Sequence, residues 1–196
     1  MTHVLAICGS RRAESKTRVA LETALDEAAR AGASTDLLDL RALDLPPLDA
    51  DHDAEDQGDG ARLIEAVDVA DAVLLGTPVY HGSYSGVLKN ALDYCGFDEF
   101  EGKTVGLLAV AGGSFPVTAL DHLRSVCRAL NCWVVPHQAA VPRAYRHVSY
   151  EDGEGAITDA DIEERLRVLG RRVVQYANIE PDPETFEASE NVGAGD

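Results

Sequence analysis

Lysine is nearly absent from this chain: Lys16, Lys89 and Lys103 are its only lysines, and 17 basic residues face 34 acidic ones. The formal net charge of −17 excludes nucleic acid and anionic membrane surfaces as partners, because both are held through dense basic patches. Long apolar runs are missing too. None approaches the ~20 residues that a membrane-spanning helix requires. Cysteine is sparse, and Cys8, Cys95, Cys127 and Cys132 show neither CxxC nor any other metal-ligand spacing. They lie in or at the ends of apolar segments, so buried, reduced thiols are expected and a metal site is not. Met1-Thr2-His3 passes straight into an apolar segment without the regions of a secretion signal, which predicts a cytoplasmic address.

Aspartate and alanine are abundant instead. With so few lysines, this balance resembles the proteins of extreme halophiles, in which surface carboxylates hold water and cations while dense salt screens their repulsion. An ordinary acidic cytosolic protein is the plainer alternative. The 196 residues, 45% of them apolar, suffice for one domain with a substantial core and are few for two.

Apolar runs of strand length alternate with helical patterns. Val4–Cys8, Thr35–Leu40, Ala72–Gly76, Thr104–Ala111 and Cys132–Val135 read as strands. Val19–Ala31, Arg62–Ala70, Gly86–Tyr94 and Val117–Leu130 read as helices, and a last helix spans about Asp159–Tyr176 with Thr158 as its N-cap. Near-continuous apolar strands between helices predict an α/β fold whose parallel sheet is covered on both faces. Five strands in this sequence fit a flavodoxin-like doubly wound sheet of order 2-1-3-4-5 in three α/β/α layers. That topology places ligands beyond the first and third strands, where the winding reverses, and both motif-rich turns of the sequence fall there. Residues 1–177 are expected to form this domain and 178–196 an acidic C-terminal tail. Leu45–Gly60 reads as a long surface loop, either a lid or an interface element, and Trp133 as a core residue.

The first turn, Cys8-Gly9-Ser10-Arg11-Arg12-Ala13-Glu14-Ser15-Lys16-Thr17-Arg18, joins a strand to a helix N-terminus, an arrangement that offers backbone N–H groups and a positive dipole end to an anion. A nucleotide-hydrolase loop would need a second Gly where Glu14 stands, and a dinucleotide fingerprint needs three glycines where only Gly9 is present. A tyrosine-phosphatase loop would need Arg six positions after Cys8, where Glu14 stands again. What remains is a Ser/Thr/Arg turn that binds a monophosphate without cleaving it; the plain structural role, Ser10 and Ser15 capping the helix, leaves the arginines unexplained. In the second turn, Pro78 stiffens the backbone and Gly82 and Gly86 allow close approach of a flat ligand. Tyr80, His81 and Tyr84 supply planar faces or polar edges.

Thr77-Pro78-Val79-Tyr80-His81-Gly82-Ser83-Tyr84-Ser85-Gly86-Val87-Leu88-Lys89-Asn90-Ala91-Leu92-Asp93 closely resembles the second signature of the NAD(P)H-dependent FMN reductase family. Gly9-Ser10-x-Arg12-x-x-Ser15-x-Thr17 resembles the family's phosphate loop, and Leu45-Pro46-Pro47-Leu48-Asp49 its Leu-Pro loop; together the likeness runs from His3 to Val135. The resemblance implies that Ser10, Arg12, Ser15 and Thr17 hold the FMN phosphate, with Arg18 beside them. It implies that Pro78, Val79, Tyr80, His81 and Gly82 line the isoalloxazine ring. The turn Ala111-Gly112-Gly113-Ser114-Phe115 matches the family's Gly-rich turn beyond the fourth strand, which places Gly112, Gly113 and Ser114 at the ring as well. Lys89, Asn90 and Asp93 are expected to fix local structure. His81 is expected to act as a hydrogen-bonding wall, with proton donation the rarer alternative. No side chain need form a covalent intermediate, so no catalytic residue is assigned. The implied activity is hydride transfer from NAD(P)H, as co-substrate, to FMN and on to a small-molecule acceptor: free flavin, a quinone, an azo or nitro compound, or a metal oxyanion. A homodimer or homotetramer is expected, since the family commonly pairs around the flavin. The rival is a flavodoxin-type electron carrier. Pro136–Gly155 carries no family signature.

Overall fold

The computed structural model describes residues 1–177 and Ile179. The expected acidic tail therefore lies almost wholly outside the described residues. Chain order is β1 (His3–Cys8), α1 (Lys16–Arg30), β2 (Ser34–Asp39), α2 (Gly60–Asp68), β3 (Ala72–Pro78), α3 (Gly86–Asp93), α4 (Phe97–Phe100), β4 (Thr104–Val110) and α5 (Val117–Ala129). It continues through β5 (Trp133–Val134), β6 (Ala139–Val141), β7 (Val148–Glu151), β8 (Glu154–Ile157) and α6 (Ala160–Tyr176). Strands pair in the order β2-β1-β3-β4-β5, and the ladders of β1 with β2 and β3, and of β4 with β3, β5 and β6, are all parallel. This is the doubly wound, flavodoxin-like order expected from the sequence.

Period-two alternation sorts the strand residues between two cores. Leu5, Ile7, Val73, Leu75, Val105 and Leu107 pack with Leu63 and Val67 of α2, Leu88 and Leu92 of α3, and Leu120 and Leu123 of α5. Val4, Ala6, Cys8, Leu74 and Leu108 face the other way, onto Leu21 and Leu25 of α1 and Leu166, Leu169 and Val173 of α6. Burying each of these leucines stabilises the fold by about 1.5–3 kcal/mol. The second layer depends on a close helix crossing: a Cβ on Gly170 of α6 would lie 2.1 Å from the Ala24 carbonyl oxygen of α1.

The fifth strand departs from the expected Cys132–Val135. Only Trp133 and Val134 pair with the start of β4, and the chain rejoins β4 at Ala139–Val141. Pro136 explains the break, since it has no N–H to donate to a ladder. Arg124 of α5 bridges the gap, donating to Gln138 Oε1 (2.8 Å), the Val135 carbonyl (3.2 Å) and the Pro136 carbonyl (3.3 Å). Trp133 is consequently not core: a two-residue edge strand leaves it 45% exposed. The last helix is capped one residue later than expected, by Asp159 rather than Thr158. Its carboxylate accepts from the N–H groups of Asp161 and Ile162, and these bonds, aided by nearby His147, hold its pKa below the usual carboxylate range. Pro136–Gly155, featureless in the sequence, contains β6, a 3-10 turn at Ala144–Arg146 and most of an antiparallel hairpin, β7–β8. Among the described residues no helix is long and apolar enough to cross a membrane.

Leu45–Gly60 is tethered rather than hanging free. At its base Asp59 N donates to Asp44 O (2.8 Å), and Asp44 N donates to the Asp59 carboxylate (2.7 Å). Asn90 of α3 accepts from Leu48 N (3.0 Å) and donates to Pro46 O (2.9 Å), which Tyr94 Oη also reaches at 2.8 Å. Asn90 thus does fix local structure, by fastening the Leu-Pro loop to α3. Lys89 pairs with Asp93 one turn on.

Candidate FMN site

The turns after β1, β3 and β4 converge at the carboxyl ends of the strands around a cavity of about 330 Å³, within the range of small-ligand sites. The first turn supplies Ser10, Arg12, Glu14, Lys16 and Thr17 to its wall. Ser15 caps α1, its Oγ accepting from Arg18 N at 3.1 Å, and its carbonyl accepts from Val19 N. Of the first N–H groups of α1, which lack intrahelical acceptors, those of Lys16 and Thr17 are left without a partner among the described residues. Two free amides at a positive helix end, the buried hydroxyls of Ser10 and Thr17, and the exposed guanidinium of Arg12 gather here as a cradle of donors able to receive an anion.

A buried network holds this cradle against the second turn. Gly9 N donates to Gly76 O (2.8 Å), and Ser85 Oγ donates to Gly9 O (2.6 Å) while accepting from Leu88 N (3.2 Å). Ser85 N donates to Thr77 Oγ1 (2.9 Å), and that hydroxyl donates to Pro78 O (2.9 Å). A Cβ on Gly9 would stand 2.8 Å from Leu88 Cβ and 3.1 Å from Gly76 O, so only glycine lets the two turns approach this closely. Thr77 and Ser85 stood in the sequence motif without an assigned role. They position the site.

Pro78, Val79 and Tyr80 form the second wall, and Val110, Ala111 and Gly112 the third. His81 and Gly82 occupy the tip of a tight turn closed by reciprocal Tyr80–Ser83 backbone bonds of 3.0 Å. Both have positive φ (50° and 80°), as the two central residues of a type I′ hairpin turn require. The tip is tied to α5 by Thr118 Oγ1, which donates to Gly82 O at 2.6 Å, and by Ser83 Oγ paired with His122 Nδ1 at 2.9 Å. His81 and Gly82 are exposed and stand outside the cavity wall, as do Gly113 and Ser114. A Cβ added at Gly112 or Gly113 would meet nothing within 4 Å, so the space beside that turn is open to a ligand.

Arg18 is not among the residues that wall the cavity. As the third residue of α1 it reaches down the helix to Glu22, with Nε 3.5 Å from the carboxylate, one turn on. Sequence reasoning overlooked Lys16, Ala144 and Tyr145, which complete the wall. Lys16 Nζ donates to Ala144 O (3.2 Å) and Val148 O (3.4 Å), tying the segment before β7 to the start of α1. No sequence signal could have found this bond, because its acceptors are backbone carbonyls 128 and 132 residues away.

Cys8 lies under the cradle and takes no part in it. Burial raises its pKa to about 11, and burial raises that of Cys95 to about 12. The Cys132 thiol is also raised, first by its contact with the Cys127 thiol and then by burial. All four cysteines are free thiols, and Cys8, Cys95 and Cys127 are buried. At about pH 8, where an ordinary exposed thiol is partly ionised, iodoacetamide is therefore expected to spare Cys8 and Cys95 until the protein is unfolded. Rapid modification of Cys8 in the folded protein would contradict this.

A doubly wound parallel sheet with a crevice at the carboxyl ends of its strands, walled by the turns after β1, β3 and β4, is the arrangement of a flavodoxin-like fold. The family model for NADPH-dependent FMN reductases matches residues 2–146, and the chain belongs to that family. An FMN-dependent NADPH-azoreductase of Staphylococcus aureus is 40% identical over 119 residues, covering 61% of this chain and 63% of that protein. The aligned part thus spans under two thirds of the curated relative's length. Among solved structures, an apo NADH:FMN oxidoreductase superposes with a TM-score of 0.72 at 26% identity, covering 92% of each chain. A NAD(P)H:acceptor flavoenzyme of Paracoccus denitrificans has a TM-score of 0.74 at 24% identity, covering 90% and 97%, and shares the fold.

Proposed function

We propose that this chain is an NAD(P)H-dependent FMN reductase that passes electrons to a small-molecule acceptor. The observation that carries the reading is the union, by one buried hydrogen-bond network, of a cradle of donors at the first turn and a cavity walled by Pro78, Val79 and Tyr80 beside it. The residues fit FMN. Ser10, Thr17, Arg12 and the α1 N-terminus would hold the phosphate, with Ser15 shaping the turn as its cap. Pro78, Val79, Tyr80 and Gly112 would border the ring, while His81, Gly82, Gly113 and Ser114 would shape the rim. Bound FMN supplies the two-electron chemistry itself. The protein's part would be to orient it, with Pro78 and Val79 supplying an apolar wall beside it. None of the wall residues need form a covalent bond.

Electron carriers of the flavodoxin type bind the same cofactor without turnover. Steady-state NAD(P)H oxidation separates the two: rapid turnover with FMN, a quinone or an azo dye as acceptor supports the reductase. A flavin-loaded protein that oxidises neither nucleotide contradicts it.

We place the enzyme in the cytoplasm, as a homodimer or homotetramer with Tyr80 and Tyr84 near a subunit contact; sedimentation of monomer only would sink that assembly. The −17 charge further supports a halophilic adaptation. Raising KCl to about 1 M, which screens charges separated by more than about 3 Å, is then expected to raise Tm by several degrees. A falling Tm argues for an ordinary acidic protein.

A further inference from the structure

Two of the four cysteines have their thiols in contact, and neither belongs to the cofactor crevice. The chain leaves α5 through a closed turn. Asn131, at φ 55°, occupies the left-handed region just past the C-cap Leu130. Its N–H donates to Arg128 O (3.2 Å), and Cys132 N donates to Cys127 O (2.9 Å). This pair of bonds defines a Schellman cap, which sets the third residue from the helix end against the second residue past the cap. Apolar side chains ordinarily fill that contact. Here the two positions are Cys127 and Cys132, and their thiols meet. Cys8 and Cys95 differ: burial raises both, and no thiol is among the groups that act on them.

The corner is held from the other side as well. Gly102 N donates to Asn131 O (3.0 Å) and Trp133 N to Lys103 O (2.9 Å), so Cys132 is fixed between α5 and the segment leading into β4. Cys127 is 1% exposed, whereas Cys132 is only partly buried. A reagent in solution therefore meets Cys132 first, with Cys127 standing behind it. Two thiols already in contact need no chain rearrangement to bond, and the intramolecular step outcompetes its bimolecular counterpart. The neighbouring thiol, and then burial, disfavour the Cys132 thiolate, which makes exchange slow without opposing the final bond.

We propose that Cys127 and Cys132 form a reversible disulfide site, oxidised by small-molecule disulfides, that pins the last turn of α5 to the edge of the sheet. With glutathione disulfide as oxidant, the Cys132 sulfur attacks one of its sulfurs, forming a mixed disulfide and releasing one glutathione thiol. The Cys127 sulfur then attacks Cys132 and expels the second glutathione thiol. Two protein thiols are oxidised, one disulfide is reduced to two thiols, and the two protons leave with them.

FMN-reconstituted protein is equilibrated with glutathione disulfide at about pH 8, alkylated with N-ethylmaleimide in denaturant and digested with trypsin. Cleavage after Arg124, Arg128 and Arg143 puts the two cysteines on separate peptides, Ser125–Arg128 and Ala129–Arg143, which stay joined only through a disulfide. The joined peptides are expected to exceed the glutathione adduct of Cys132 at least about tenfold, in a chain that runs as a single subunit on a non-reducing gel. Dithiothreitol is expected to separate them. Cys127→Ser is expected to stop at the adduct, and Cys132→Ser to leave Cys127 unmodified; if Cys127→Ser does not fold, the wild-type protein and Cys132→Ser decide. Folded protein in which both thiols stay reduced, or in which the Cys132 adduct accumulates beside free Cys127, overturns the proposal. A cross-link that forms only in denaturant, or only between subunits, overturns it too.

Discussion

Gly9→Ala is expected to lower both the stability of the protein and its affinity for FMN. The added methyl would sit 2.8 Å from Leu88 Cβ, 3.0 Å from Ser85 Oγ and 3.1 Å from the Gly76 carbonyl oxygen. Ser85 Oγ could turn aside, but only by releasing its bonds to Gly9 O and Leu88 N. Leu88 Cβ and the Gly76 carbonyl belong to rigid elements, so α3 must move away from the first turn. Overpacking of this kind costs about 1–3 kcal/mol. The same displacement separates the phosphate cradle from the ring slot, so FMN should bind about tenfold more weakly to the protein that still folds, a loss near 1.4 kcal/mol. Chemical denaturation and flavin fluorescence titration measure the two effects separately. A variant with native stability and native FMN affinity would show that the turns need no such contact.

Arg12→Ala is expected to weaken FMN binding while leaving the fold intact. Arg12 is exposed on the cavity wall and makes no ion pair among the described residues, so no other group depends on its charge. Loss of a hydrogen bond to a charged phosphate costs about 1.5–3 kcal/mol, and exposure to solvent places this one at the lower end. Arg12→Lys keeps the charge without the fork and should recover part of the affinity. The loss in Arg12→Ala should diminish at high salt, as it must for a screened charge. An unchanged dissociation constant at low salt removes Arg12 from the site.

The sequence made the sheet order and both main turns legible because those features are local. Apolar runs, a Ser15 cap and a Thr-Pro-x-Tyr motif declare themselves within a few residues. What it hid was set by pairing and by helix phase. Trp133 read as core because its apolar neighbours promised a full strand; Pro136 cut that strand to two residues and left the ring on an edge. Arg18 is expected near the cofactor because it lies beside the motif. Capping by Ser15 starts the helix at Lys16, and helical spacing then sets Arg18 beside Glu22 while Thr17 lines the cavity. Lys16, Ala144 and Tyr145 meet only through long-range folding. Lys16 Nζ joins α1 to the Ala144 and Val148 carbonyls, and such a bond has no local signature.

On the proposed reading, a chain of net charge −17 can still accommodate an anionic cofactor. The candidate site offers fixed dipoles and hydroxyls (a helix N-terminus, two free amides and two buried hydroxyls) beside only three charged wall residues, Arg12, Lys16 and Glu14. Acidic residues can then dominate the remaining surface.

The most direct test is the absorption spectrum of the purified protein, reconstituted with FMN and freed of excess, before and after anaerobic addition of NADPH. The account predicts a retained flavin band that bleaches on addition and returns when an acceptor is supplied. A protein that retains no flavin, or a flavin band that NADPH and NADH both leave untouched, would contradict it.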